Sequence, residues 1–166
     1  MSVAYRRQLA IQARVVIPGV PPSPNARPGH YMQNHRIQAG LEGWKRLTWM
    51  LAHSARNRAH WPLPVRCDPP APRWVRFDIH RMRLLDQDNA WASIKSCLDG
   101  LHWPGQHPGG VGPLLVDDSA AWCQVWAVEQ HQAHLAAEER VVVTVDLMDP
   151  RRCLAALEEE TPWATR

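Results

Sequence analysis

WVRFDIHRMRLLDQDNAWASIKSCLDGL, residues 74–101, changes its hydrophobic period part-way along. From Trp74 to Met82 the residues alternate, with Val75, Phe77 and Ile79 on one side and Arg76, Asp78 and His80 on the other. That is the pattern of a half-buried strand, and His80 is expected simply to be solvated. From Ala90 the period lengthens, and Ala90, Ile94, Cys97, Leu98 and Leu101 form one helical stripe. The junction carries Asp86, Asp88 and Asn89. On an extended end, Asp86 and Asp88 project together while Gln87 points away. Asn89 or Asp88 can cap the helix, but a cap does not need a second carboxylate two residues earlier.

Outward from this junction, Ala13 to Ile17 (ARVVI) reads as a first strand, ended by Pro18-Gly19. A Pro-rich loop follows. From about Asn34 to His60 Leu41, Trp44, Leu47 or Thr48, Leu51 and Ala55 recur at helical steps. Residues 61–73 form a Pro-rich connection. After a Gly/Pro/His loop, Trp122 to Glu129 and Arg140 to Leu147 read as strands, and Pro150 starts a short C-terminal helix with Leu154 and Leu157 as contacts. The expectation is an α+β fold of order β-α-β-α-β-β plus that helix, in one domain over residues 1–166, a length that can bury a core without disulfides.

Composition narrows the function classes. Nine Trp and fifteen Pro against one Phe and two Tyr assign much of the aromatic packing to tryptophan. Net charge is +3, carried mostly by Arg, a residue suited to bidentate phosphate contacts. The four cysteines make no CxxC pair, which argues against a zinc knuckle and a disulfide scaffold. Residues 1–17 carry Arg and Gln through what a signal peptide would keep apolar, and no stretch has the length of a membrane span. A cytoplasmic protein with no membrane partner is expected.

Asp86 and Asp88 at a strand-to-helix junction suit a hard divalent cation, since Mg²⁺ takes one or two protein carboxylates and keeps positions for water and phosphate. Val116-Asp117-Asp118-Ser119 offers further acids. The alternative is a cap with a solvated turn. Lys95 lies seven residues after Asp88, about 10 Å along a continuous helix and on nearly the same face. It either leans back toward the acids, where it could stabilise charge at a phosphodiester, or pairs with Asp99 at i+4. His102 and His107, in the Gly/Pro loop, could ligate metal, but surface loops often carry histidines and the plain reading is preferred. Trp91 and Trp103 are the tryptophans nearest the acids.

These residues, taken together, resemble the RusA-type Holliday junction resolvases, endodeoxyribonucleases of bacteria and their phages. The likeness rests on PPSPNAR (21–27) after the first strand, on LDQDNAWASIKSCLDGL as the D-x-D-N helix ending in L-D-x-L, on a downstream GV, and on VDDS. It spans about residues 13–147. The resemblance implies a mixed sheet with helices packed on it, a homodimer, and Mg²⁺-dependent paired nicking of four-way junctions, with Mn²⁺ as a substitute metal. It implies Asp86, Asp88 and Asp118 as catalytic acids and metal ligands, with Asp117 beside them. The family's lysine falls four residues after the second acid, where this chain has Ala92; Lys95 is the candidate replacement. The loop from His102 to Leu115 is longer than the family's. Asn25, Arg27, Lys45, Arg46, Arg56, Arg81 and Arg83 are the candidate contacts to branched DNA, of the kind that position a backbone without reading sequence. Two other readings stay open: a structure-specific DNA-binding protein of the same fold with impaired cleavage, and a metal-binding scaffold without DNA.

Overall fold

Three rows of apolar residues run across the sheet and define its buried face. Ala13, Val145 and Val75 form one row, Val15, Val143 and Phe77 the next, and Ile17, Val141 and Ile79 the third, each residue 0–1% exposed. The computed structural model describes residues 12–22, 31–105 and 111–147. Among them the strands are β1 (Gln12–Pro18), β2 (Arg73–Arg81), β3 (Cys123–Gln132) and β4 (Arg140–Asp146). Their order in the sheet is β1-β4-β2-β3. β4 pairs antiparallel with both β1 and β2, whereas β2 and β3 run parallel, so the sheet is mixed. A parallel pair needs a long crossover, and residues 82–122 supply it.

Helix α1 (Tyr31–Ala59) packs on β1 and on a later helix, burying Thr48, Ala52 and Ala55, with Trp44, Leu47 and Leu51 partly buried beside them. The crossover holds α2 (Gln87–Ser93) and α3 (Lys95–His102). Ala90, Ile94, Cys97 and Leu101 complete the core, each at most 2% exposed. Burying a side chain of the size of Phe77 or Leu101 contributes about 1.5–3 kcal/mol. At the crossing of α1 and α3, a Cβ on Gly100 would stand 2.5 Å from the Lys45 carbonyl oxygen. Glycine is what allows that approach.

The fold is α+β, as the sequence pattern predicts, and the elements fall close to their expected bounds. One element differs. The single helix expected through Leu101 is broken at Ile94. The Ser93 hydroxyl donates to the Ala90 carbonyl at 2.8 Å, the acceptor a continuing helix would offer to Ile94 N–H, and that N–H turns to the Ala92 carbonyl. Lys95 therefore opens a new helix, so the single continuous helix expected to carry both Asp88 and Lys95 is interrupted between them. Among the described residues no helix is long and apolar enough to cross a membrane. The expected C-terminal helix from Pro150 lies outside the described residues, as do Asn25, Arg27 and His107.

Candidate metal and catalytic site

The segment after α3 is seated on that helix by backbone contacts. Leu114 and Leu115 both donate their N–H to the Leu101 carbonyl, at 3.1 Å each. Gly112 lies directly on the backbone of Leu101 and His102, with no space for a Cβ. From the other side, Arg73 donates to the Leu114 carbonyl at 2.8 Å and to the Pro62 carbonyl at 3.2 Å, with its guanidinium over the Trp61 ring. Arg73 is buried, and burial lowers its pKa to about 10.

This seating delivers the acidic pair. Asp117 turns back on its own loop and accepts the Ser119 N–H at 2.8 Å. Asp118 instead reaches α3, where Lys95 donates to it and also to Asp99, the latter at 2.7 Å. His102, one turn beyond Asp99, brings Nε2 to 3.6 Å from Asp99 Oδ1 and 3.9 Å from Asp118 Oδ2. The hydrogen bond from Lys95 holds the Asp118 carboxyl below its ordinary pKa. Burial works against the Lys95 charge, but its bonds to Asp118 and Asp99 outweigh it and raise the ammonium pKa.

Asp86 and Asp88 stand apart from this cluster. Asp86 is the N-cap of α2, accepting the Asn89 N–H at 2.8 Å and the Asn89 side-chain amide at 2.7 Å. Those bonds, the backbone one foremost, lower its pKa. Asp88 is exposed in the first turn. Gln87 points the other way, to the Val128 carbonyl, and Gln130 grips both the N–H and the carbonyl of Leu85, so the junction is anchored to β3. Lys95 thus meets the third acid of the expected set rather than the first two, and its pairing with Asp99 at i+4 is present as well.

Among the described residues two groups can hold a metal ion, each with three ligand atoms within 4.8 Å of one another: Asp99, His102 and Asp118; and Asp78, Glu129 and His131. Neither includes Asp86 or Asp88. Pattern reasoning set His102 aside as a loop histidine and took Asp99 only as a partner of Lys95, whereas both stand on α3 at i, i+3 spacing. It also set His80 aside as a solvated residue. His80 stacks on His131, with ring centroids 4.7 Å apart, beside an Asp78 bound by both Arg76 and His131.

The expected DNA contacts divide. Arg46 and Arg83 are exposed. Arg56 is engaged with Asn57 and His53, and Lys45 lies 5.1 Å from the Trp103 ring centroid with Glu42 nearby. Arg81 is a correction: it is 9% exposed, on the core-facing side of β2 with Val75, Phe77 and Ile79, and so is not a free surface contact. Trp91 is exposed, while Trp103 packs edge-on against Trp49. Comparisons with protein-family models, with curated proteins and with solved structures return no match.

Proposed function

We propose that the chain is a divalent-metal-dependent endodeoxyribonuclease that resolves four-way DNA junctions by paired symmetric nicks, acting as a homodimer in the cytoplasm of a bacterium or phage-infected cell. The observation that carries this reading is the convergence of Lys95, the candidate replacement for the family's lysine, on Asp118, the residue the resemblance implies as the third catalytic acid. Asp86, Asp88 and Asp118 would hold Mg²⁺ through hard carboxylate oxygens, the chemistry that ion prefers. Bound there, the metal would activate water and stabilise charge on the phosphate. Asp118 is ionised at neutral pH and is available as a ligand once Lys95 releases it. Lys95, with its side chain 57% exposed, is free to turn from Asp118 toward a scissile phosphate. Exposed Arg46 and Arg83 supply backbone contacts, and a two-fold dimer presents two such centres to a junction of matching symmetry.

The test is cleavage of a synthetic four-way junction in Mg²⁺ and in EDTA. Cutting in Mg²⁺ alone is expected, and Asp88→Asn should abolish it while binding the junction as tightly or more so. Absence of cutting in Mg²⁺ with junction binding intact favours the second reading, an impaired structure-specific binding protein. The observation on that side is Ala92, where the resemblance calls for a lysine.

A further inference from the structure

We propose that Asp99, His102 and Asp118 form a cation-exchange site, in which a divalent ion of the Mn²⁺-to-Zn²⁺ series takes the place now held by the Lys95 ammonium. The site shares Asp118 with the proposed nuclease centre, but its occupancy does not depend on DNA cleavage.

Three observations carry it. Nε2 of His102 is buried and has no hydrogen-bond partner. It stands 3.6 and 3.9 Å from two carboxylate oxygens, beyond the 2.7–3.2 Å of a hydrogen bond. Ligands with bonds of about 2.1 Å to one ion lie roughly 3.0–3.5 Å from each other. A closure of a few tenths of an ångström brings the imidazole nitrogen to coordination distance of both carboxylate oxygens, which lie within 4.8 Å of each other.

Next, the place already attracts a cation. Lys95 donates to both Asp99 and Asp118, so one positive charge faces two carboxylates and leaves a net negative charge that a divalent ion would cancel. The lysine stem is exposed, and its head can leave for solvent still protonated.

The third observation is the contrast with the other triad. There His131 Nε2 is hydrogen-bonded to Asp78 at 2.9 Å, and Arg76 closes on Asp78 and on Glu129. That Nε2 is already engaged, and a rigid guanidinium lies between the two carboxylates. At α3 the cation is a single flexible ammonium and the imidazole nitrogen is spare.

The donor set selects the metal. Mg²⁺ and Ca²⁺ prefer oxygen alone, whereas an imidazole with two carboxylates suits Mn²⁺, Co²⁺ or Zn²⁺. Asp99 and His102 share one turn of α3, and the contacts of Gly112, Leu114 and Leu115 with Leu101 and His102 fix the approach of Asp118.

The experiment is titration of the full-length, metal-stripped protein with Mn²⁺ in the absence of DNA, read by the electron paramagnetic resonance of free Mn²⁺, with Mg²⁺ as competitor. One ion per chain is expected, displaced weakly by Mg²⁺. His102→Asn should weaken binding by at least the ~10–100-fold typical for loss of even an outer-shell partner. Lys95→Ala should tighten it, because the competing cation is gone; a purely structural lysine would not give that sign. Thermal melts establish that each variant is folded, and Asp99→Asn serves if His102→Asn is not. Unchanged Mn²⁺ affinity in His102→Asn and Asp99→Asn, or weaker binding in Lys95→Ala, overturns the site. Junction cleavage in Mg²⁺ is scored separately, so loss of this site and loss of the nuclease reading give different results.

Discussion

Gly112→Ala tests how the third acid is delivered. The added Cβ would overlap His102 Cα and C and stand 2.5 Å from the Leu101 oxygen. All three atoms are backbone, so no side chain can swing aside. Either α3 or the segment carrying Leu114 to Asp118 must move. Overpacking of this kind costs about 1–3 kcal/mol. Lifting the segment also weakens the Leu114 and Leu115 bonds to the Leu101 carbonyl, each worth about 0.5–1.5 kcal/mol. The expected loss is therefore about 2–6 kcal/mol, a fall of roughly 4–24 °C in Tm for a chain of this size. Urea denaturation followed by circular dichroism measures it. Gly43→Ala is the control: it lies within α1, its Cβ would meet nothing within 4 Å, and alanine should stabilise the helix by up to about 1 kcal/mol. If Gly112→Ala matches the parent midpoint, the close seating of the loop on His102 is refuted.

The remaining predictions concern the charges around that segment. Lys95→Ala should cut junctions on the order of a hundredfold more slowly while binding them nearly normally, as expected for a donor acting on transition-state charge; cutting at the parent rate would leave Lys95 as a partner of Asp99 and Asp118 only. Arg73→Ala should destabilise the fold by about 3 kcal/mol in denaturant titration, because two charged donors to carbonyls are lost from a buried position. The Lys95–Asp118 pair fixes a pH window. Asp118 has a depressed pKa, so its contribution is present above the ordinary carboxylate range of about 4 and is lost as pH falls through its lower folded value. Lys95 has a raised pKa, so its contribution is present below about 10.4 and is lost as pH rises through its folded value. Difference profiles of stability between the parent and Asp118→Asn should be flat between those limits and converge outside them.

The sheet was legible because each strand announces its buried face by alternation. Val75, Phe77 and Ile79 predicted the core side of β2, and the same parity places Arg81 inside, a consequence that charge alone had obscured. The break at Ile94 was harder to see. It depends on which carbonyl the Ser93 hydroxyl takes, and apolar spacing carries no record of that choice. The pairing of β2 with β3, which brings Asp78 opposite Glu129 and His80 opposite His131, is a register across 41 intervening residues of crossover. Local pattern contains none of it. Asp118 was nameable from VDDS, but its partners depend on a loop seated through glycine and backbone carbonyls, contacts that leave only a faint mark on side-chain sequence.

The acidic residues are divided between the two helices on either side of Ile94, Asp86 and Asp88 at the start of α2 and Asp99 on α3. In one continuous helix, Lys95 would follow the face of Asp88. As the first residue of α3 it shares a face with Asp99 and His102, four and seven positions on, and that face receives Asp118. The mouth at Asp86 and Asp88 is left with no lysine paired to it among the described contacts, and Asp118 is already neutralised by one. Under the proposed function, a metal drawn to Asp86 and Asp88 competes with Lys95 for Asp118. Release of Lys95 from Asp118 is then the same event that frees its ammonium for a phosphate. A lysine four residues after Asp88 would not be linked to the third acid in this way. Ala92→Lys in the Lys95→Ala background separates the two arrangements: recovered cutting means that positive charge near the mouth suffices, whereas continued slow cutting means that the exchange at Asp118 is itself required.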